Sequence, residues 1–245
     1  MTWLKFLSSD AGTDTLIVCL PPGGRGASGF QSWRAVVPGS AQLAVVRPPG
    51  REERLTEPAL TDVVAYTMAV AEHIQDTVDG RRLVLVGACL GGMLAYETCR
   101  RLLARDVAVD LLCAVAAIPP GAYRRHDERR STDEGMALLR QWDGTDAEVL
   151  DNPEFARVLL PAIMADLRLG DSYDGIRTPA LPVRMLAVAG AQDKDAAPEL
   201  MTGWAAATTE PLVAHTRPGG HFIHHDEAAW IAGRALNLLQ EATDA

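Results

Sequence analysis

Val84-Leu-Val-Gly-Ala-Cys-Leu-Gly-Gly92 decides how the rest of the chain is read. Its opening residues form a short apolar run of the kind that makes a buried strand. Gly87-Ala88-Cys89-Leu90-Gly91 follows, and an Ala/Leu/Arg-rich helical pattern from Leu90 to Ala104 begins at once. Strand, sharp turn and helix in that order are the context of a G-x-nucleophile-x-G elbow. The turn is too tight for bulky neighbours, so each flank is Gly, and it lifts the central side chain above the sheet. A thiol held there sits at a helix N-terminus, whose dipole and free amides favour the thiolate. Cys89 is therefore read as a nucleophile. Three other cysteines, Cys19, Cys99 and Cys113, lie in apolar stretches and are read as small buried hydrophobes. The four together show neither a CxxC pair nor metal-ligand spacing.

Around this elbow, short apolar runs alternate with helical patterns. Strands are expected at Thr15–Leu20, Gln42–Val46, Leu83–Val86, Leu111–Ala116, Val183–Ala189 and Leu212–Thr216. Val63, Tyr66, Val70, Ile74 and Val78 recur at helical spacing, with Thr61 as the expected N-cap. Further helices are expected at Pro198–Ala207 and from an Asp226 cap to about Glu241. Such alternation implies an α/β fold, a mostly parallel central sheet with helices on both faces. Between Pro119 and Pro182 the rhythm breaks and no strand is expected. Ser131-Thr-Asp-Glu134 is a capping box there, and Asn152-Pro153 sets an N-cap before a Pro at the first helical position. Pro161 is expected to kink or restart the helix. This helical insertion, about residues 119–180, reads as a lid over a site on the sheet edge. With no repeat, low-complexity tract or linker, residues 1–245 are read as one domain.

A cysteine nucleophile needs a base and an acid that orients the base. In an elbow fold they follow in the order nucleophile, acid, histidine, each just past a strand. Gly190-Ala-Gln-Asp-Lys-Asp195 follows one expected strand, and Pro218-Gly-Gly-His-Phe222 follows the next. His221 is thus the candidate base. Asp193 is preferred as the acid, with Asp195 as its rival. His73 and His126 are read as surface residues and His215 as a packed strand residue. His221, His224 and His225 cluster in sequence, but neither a cysteine nor a second acidic group completes a metal site, so no metal is expected. The reaction also needs oxyanion donors. One is the backbone N–H of Leu90, directly after the nucleophile. The second should come from Leu20-Pro-Pro-Gly-Gly24, where Gly23 is the first residue after the two prolines with an N–H to give.

The chain has 245 residues and a formal net charge of −9, with 48% hydrophobic and 22% charged residues. It is acidic and has no basic tail, which argues against nucleic acid as a partner. No apolar run approaches the roughly 20 residues that span a membrane. Met1 to Asp10 is too short and polar for a signal peptide, so a cytoplasmic location is expected.

Elbow, acid and histidine in this order resemble an α/β-hydrolase. More closely, the chain is similar to the type II thioesterases of polyketide and nonribosomal-peptide biosynthesis. Leu20-Pro-Pro-Gly-Gly-Arg-Gly-Ala-Ser28 with Trp33 resembles that family's F-P-H-A-G-G-x-A-S…W segment. Val46-Arg-Pro-Pro-Gly-Arg-Glu-Glu-Arg-Leu-Thr-Glu-Pro58 resembles its Y-P-G-R-E-x-R-x-x-E-P signature. Trp142-Asp-Gly-Thr145, Leu150-Asp-Asn-Pro153 and Leu160-Pro-Ala-Ile-Met-Ala-Asp166 resemble its lid pattern, and Pro218-Gly-Gly-His-Phe222 its closing motif. The resemblance places Gly23 at the family's oxyanion amide. It implies hydrolysis of acyl thioesters held on the phosphopantetheine arm of an acyl or peptidyl carrier protein, with no cofactor on the enzyme itself.

The family usually has G-H-S-x-G, whereas this chain has Ala88 and Cys89 at those positions. Acyl-cysteine is again a thioester and keeps the acyl group activated, so transfer to an amine or an internal hydroxyl stands beside hydrolysis. Dienelactone hydrolases share a similar cysteine elbow, but that likeness is local. An inert binding scaffold is disfavoured because all three catalytic positions hold competent residues. Arg124, Arg125, Arg129 and Arg130, or Arg100 and Arg101, are candidates for docking an acidic carrier, and each cluster reads equally as a solvated face. Met136, Trp142, Phe155 and Met164 line an acyl tunnel or form the core of the lid.

Overall fold

The computed structural model describes residues 2–9, 12–126, 130–141, 153–175 and 179–243. Among them, seven strands form one sheet: β1 (Leu4–Phe6), β2 (Thr15–Leu20), β3 (Ala41–Val46), β4 (Arg82–Ala88), β5 (Leu111–Val115), β6 (Met185–Gly190) and β7 (Leu212–Arg217). Their order is β1-β3-β2-β4-β5-β6-β7. β1 alone among these pairs antiparallel, against β3. The six expected strands are all present, with ends moved by a residue or two. β1 was not expected, since three residues carry too little pattern to read.

β2, β3, β5 and β6 are buried along their whole length. They bury both faces because helices cover both sides, which is why they read as continuous apolar runs. Alternate side chains divide between two cores. Leu16, Val18, Leu20, Leu83 and Leu85 join Tyr66, Ile74, Met93, Tyr96 and Trp204 on one face. Ile17, Cys19, Val84, Val86 and Ala88 join Phe30, Trp33, Ile231 and Leu238 on the other. The first face is covered by α1 (Val63–Val78) and α2 (Leu90–Leu103), the second by α6 (Ala228–Thr243). Cys19, Cys99 and Cys113 are buried free thiols, as expected. Burial pushes the Cys99 thiol up to about 12 and leaves it inert.

Asp62, one residue past the expected cap, starts α1; its side chain accepts from the Ala65 amide at 2.7 Å. Asp226 closes the short helix α5 (Ile223–Asp226), and α6 begins separately at Ala228. Pro198–Ala207 winds as a 3-10 segment.

Between β5 and β6 lie α3 (Thr132–Gln141) and α4 (Pro153–Ser172), with no strand among the described residues. The expected capping box forms: Ser131 N–H donates to the Glu134 carboxylate at 2.6 Å, and Glu134 N–H to Ser131 Oγ at 3.2 Å. α4 runs through Pro161 as one helix, so the expected restart does not occur. The Asn152 cap, Arg129, Trp142-Asp-Gly-Thr145 and Leu150-Asp-Asn152 lie outside the described residues.

β3 lies on one side of β2 and β4 on the other. The chain thus reverses its direction of travel across the sheet between these two strands. Such a switch point opens a crevice at the carboxyl ends of the strands. The loops after β2 and β4 border it.

Candidate active site

Cys89 follows β4 directly and precedes the first residue of α2. Its backbone sits at φ 52°, ψ −122°, a conformation that side-chain-bearing residues rarely adopt. Its amide donates to Val115 O at 3.0 Å, and its carbonyl accepts from Gly92 N at 2.9 Å. Both flanking glycines are required by close approach. A Cβ on Gly87 would stand 2.1 Å from Gly91 O, and one on Gly91 would stand 2.2 Å from Leu20 O. The elbow is therefore wedged between its own helix and the loop after β2.

His221 and Asp193 come together as expected. His221 Nδ1 lies 2.9 Å from Asp193 Oδ2 and 3.1 Å from Oδ1. Asp193 Oδ1 also accepts the amides of Asp195 and Ala196, each at 2.9 Å. Burial opposes ionisation of Asp193. His221 and the two amides outweigh it and hold the carboxyl below its usual range. Asp195 supplies a backbone amide to Asp193, and its carboxylate has no contact with the imidazole among the bonds of the described residues. The Asp193 and His221 loops are tied reciprocally. Gly219 N–H donates to Gln192 Oε1 at 2.8 Å, and Gln192 N–H to Gly219 O at 2.9 Å. Gly190 lets them meet, since a Cβ there would stand 2.3 Å from Gly220 O.

His221 and Cys89 line the same cavity, and the two side chains interact electrostatically. Burial works against charge on the imidazole, but Asp193 and Cys89 outweigh it and push His221 up to about 10. At neutral pH the ring is thus a cation between two partners that can bear negative charge.

Leu90, the first residue of α2, has no intrahelical acceptor for its N–H. Gly23 lies against it: a Cβ on Gly23 would stand 3.8 Å from Leu90 Cδ2. Pro22 to Arg25 form a turn closed by Arg25 N–H to Pro22 O at 3.1 Å, with Gly24 at φ +76°. Among the described residues, the Gly23 amide meets no hydrogen-bond acceptor. Gly23, Leu90 and Cys89 border the same cavity.

Gly23, Cys89, Leu90 and His221 border one cavity of about 720 Å³. That volume is typical of a small-molecule site. Its apolar walls come from Leu90, Ile118 and Tyr123 and from α4 through Leu159, Ile163 and Leu167. Met136 and Met164 do not line it; Met164 packs on Gly135 between α3 and α4.

His215 packs edge-on against Trp230, as expected of a strand residue. His126 is exposed, whereas His73 is half-buried with Nδ1 3.0 Å from Ala69 O. His224 is buried between Phe30 and Phe222, and burial lowers it to about 4. Asp193, Asp195 and His221 place three potential ligand atoms within 4.8 Å of one another, but those of Asp193 and His221 are engaged with each other. Of the arginines, Arg124 is exposed at the cavity rim. Arg130 pairs with Asp171 at 2.7 Å and Arg100 with Glu97 at 2.5 Å.

Sequence reading did not assign roles to Gln192, Arg51, Glu52 or Asp166. Arg51 forms a buried two-pronged ion pair with Asp166, and the Glu52 carboxylate accepts the amides of Ala27 and Ser28 at 2.9 and 3.0 Å.

Among the described residues, no helix is long and apolar enough to cross a membrane. The thioesterase domain family matches residues 15–233. The AMB antimetabolite synthetase AmbE of Pseudomonas aeruginosa is 32% identical over 222 residues, covering 89% of this chain. The chain spans only 10% of that synthetase's length. Thioesterase PikA5 of Streptomyces venezuelae is 27% identical over 231 residues, covering 92% of this chain and 81% of its own. The structure of the type II thioesterase BorB from the borrelidin biosynthetic cluster superposes with a TM-score of 0.83 at 26% identity. It covers 97% of each chain.

Proposed function

Since the chain belongs to the thioesterase domain family, we propose that it acts as a type II thioesterase with cysteine as its nucleophile. Its substrate is an acyl thioester on the phosphopantetheine arm of an acyl or peptidyl carrier protein in polyketide or nonribosomal-peptide biosynthesis. Residues 1–245 work as one catalytic domain, with α3 and α4 as its lid. The observation that carries this reading is the strained Cys89 at a strand–helix elbow, sharing one largely apolar cavity with His221, whose Nδ1 is paired to Asp193.

The Cys89 thiolate attacks the thioester carbonyl, and the Gly23 and Leu90 amides bind the resulting oxyanion. Each such donor is worth about 3–4 kcal/mol. The C–S bond to pantetheine breaks, and the leaving thiolate takes the proton of the His221 imidazolium. Water then attacks the acyl-cysteine and gives a proton to His221. The second C–S bond breaks, releasing a carboxylic acid and restoring the thiolate–imidazolium pair. The enzyme needs no cofactor for these steps.

Incubation with an acylated carrier protein, read by intact mass, tests the scheme. The expected result is an acyl adduct on Cys89 in rapid quench, with turnover lost in Cys89→Ala and His221→Ala. Wild-type turnover in either variant overturns it.

Cys89 itself favours a second reading. An acyl-cysteine lies at nearly the same free energy as the incoming thioester, whereas an oxygen ester lies lower. The intermediate therefore stays competent to acylate an amine or an internal hydroxyl. Free acid as the sole product from the native acyl chain argues against this reading.

A further inference from the structure

We infer that Asp166 and Arg51 are positioning residues for oxyanion stabilisation, acting through the turn that carries the Gly23 amide. This rests on the reading of Cys89 as nucleophile and Gly23 as donor. The chain of contacts is direct. Asp166 Oδ2 accepts the Gly24 amide at 2.6 Å and Arg51 Nη1 at 2.5 Å, while Oδ1 accepts Arg51 Nη2 at 2.9 Å. Gly24 adjoins the proposed donor, so the peptide plane between Gly23 and Gly24 is fixed by a carboxylate that belongs to α4. Ile163, one turn earlier on α4, leans on the same place: a Cβ on Gly24 would stand 2.8 Å from its Cγ1. A Cβ on Gly23 would stand 3.8 Å from Asp166 Cβ. Downstream, Glu52 secures the exit of the same loop through Ala27 and Ser28.

Both partners of the ion pair are buried, with side chains about one-twentieth exposed. A buried ion pair is weak ground for stability, since apolar residues of similar volume often serve as well. It does impose direction. A two-pronged guanidinium fixes the carboxylate plane, and the oxygen lone pairs then fix where the Gly24 N–H must lie. Of the two residues that position one oxyanion donor, Asp166 comes from a helix of the insertion and Arg51 from the loop after β3. The donor is in register only while α4 is seated on the loop.

Two variants test this, Asp166→Asn and the apolar double variant Arg51→Met/Asp166→Leu. The double variant removes the carboxylate without leaving an unpaired buried charge. Three rates are compared on the full chain: hydrolysis of a small acyl thioester, inhibition by the matching acyl aldehyde, and alkylation of Cys89 by iodoacetamide. Hydrolysis and aldehyde addition both place negative charge on oxygen, whereas alkylation displaces iodide and forms no oxyanion. The expected result is a fall in kcat of about 10²–10³-fold, with KM changed by less than about threefold. Aldehyde affinity should fall in parallel, while alkylation stays within about twofold of wild type. A kcat near wild type in the double variant overturns the proposal, and so does alkylation that falls with kcat. Full turnover after complete alkylation of wild-type Cys89 overturns the nucleophile reading instead, whatever the two variants do.

Discussion

Replacing Asp193 by Asn changes no volume and one charge, and the structure says where each atom of the amide must go. Oδ1 of Asp193 accepts two backbone amides, from Asp195 and Ala196, at 2.9 Å each. The single carbonyl of Asn keeps those two bonds, which leaves its NH₂ facing His221 Nδ1 where a carboxylate oxygen stood at 2.9 Å. Two donors cannot share that contact. The imidazole must present Nδ1 as acceptor, so the ring becomes neutral, its proton sits on Nε2, and the thiol loses its counter-charge. His221, now at about 10, moves down toward its ordinary 6.5. An Asp→Asn change that sets the wrong tautomer costs up to about 10⁴ in other triads. We expect roughly 10³-fold in kcat, about 4 kcal/mol. Chromatographic measurement of acid released from an N-acetylcysteamine thioester gives kcat, and imidazole NMR gives the His221 titration. Both backbone bonds survive, but the ion pair with His221 is lost, so the variant should unfold more easily than wild type at neutral pH. Asp193 is held below its usual range, so its stabilisation is present above about pH 4 and is lost as pH falls through the folded value. Any stability gap between the two proteins should therefore close in acid. A variant within tenfold of wild-type kcat, with His221 still titrating near 10, would refute the reasoning.

In Cys89→Ala the imidazole loses one of the two partners that raise it, so His221 should titrate well below about 10. An unchanged NMR titration would remove the thiolate from the account. For the wild type, the raised value means that His221 stabilises the fold fully below about pH 6.5, and that this contribution fades as pH rises through about 10. Gly91→Ala should destabilise by about 2 kcal/mol or more in urea unfolding, because its Cβ meets Leu20 O at 2.2 Å and Pro21 O at 2.7 Å. The gain in helix propensity, about 1 kcal/mol, is too small to compensate, and a variant as stable as wild type would show that the elbow is not tight. Reversing charge at Arg124 and Arg125 should raise KM about fivefold for a carrier-bound substrate and leave KM for a small thioester unchanged; equal effects on both would exclude docking there.

The sheet was legible because its inner strands, β2 to β6, are buried on both faces and read as apolar runs between turn residues. The convergence of Cys89, Asp193 and His221 was legible because each stands just past a strand, in the order an elbow fold sets. What failed was local choice between equals. Thr61 and Asp62 are both good caps, and only the geometry of the Ala65 amide separates them. Pro161 breaks one backbone bond, yet α4 buries enough residues, among them Ala162, Ala165, Asp166 and Leu169, to continue past it. Asp166 could not be assigned from sequence at all. Its partner Arg51 lies 115 residues away. No spacing rule connects a residue on a helix with a loop on the far side of a crevice.

Position 89 sets durability against use. A residue with a side chain at φ 52° costs about 1–2 kcal/mol over Gly, and Gly would give back about 0.5–1 kcal/mol in backbone entropy. Deleting the thiol entirely should therefore leave the molecule no less robust, and slightly more so. A screen for hardiness alone would drift toward a quiet, inert protein. Any attempt to toughen this enzyme must leave that one strained link untouched and seek its gains elsewhere.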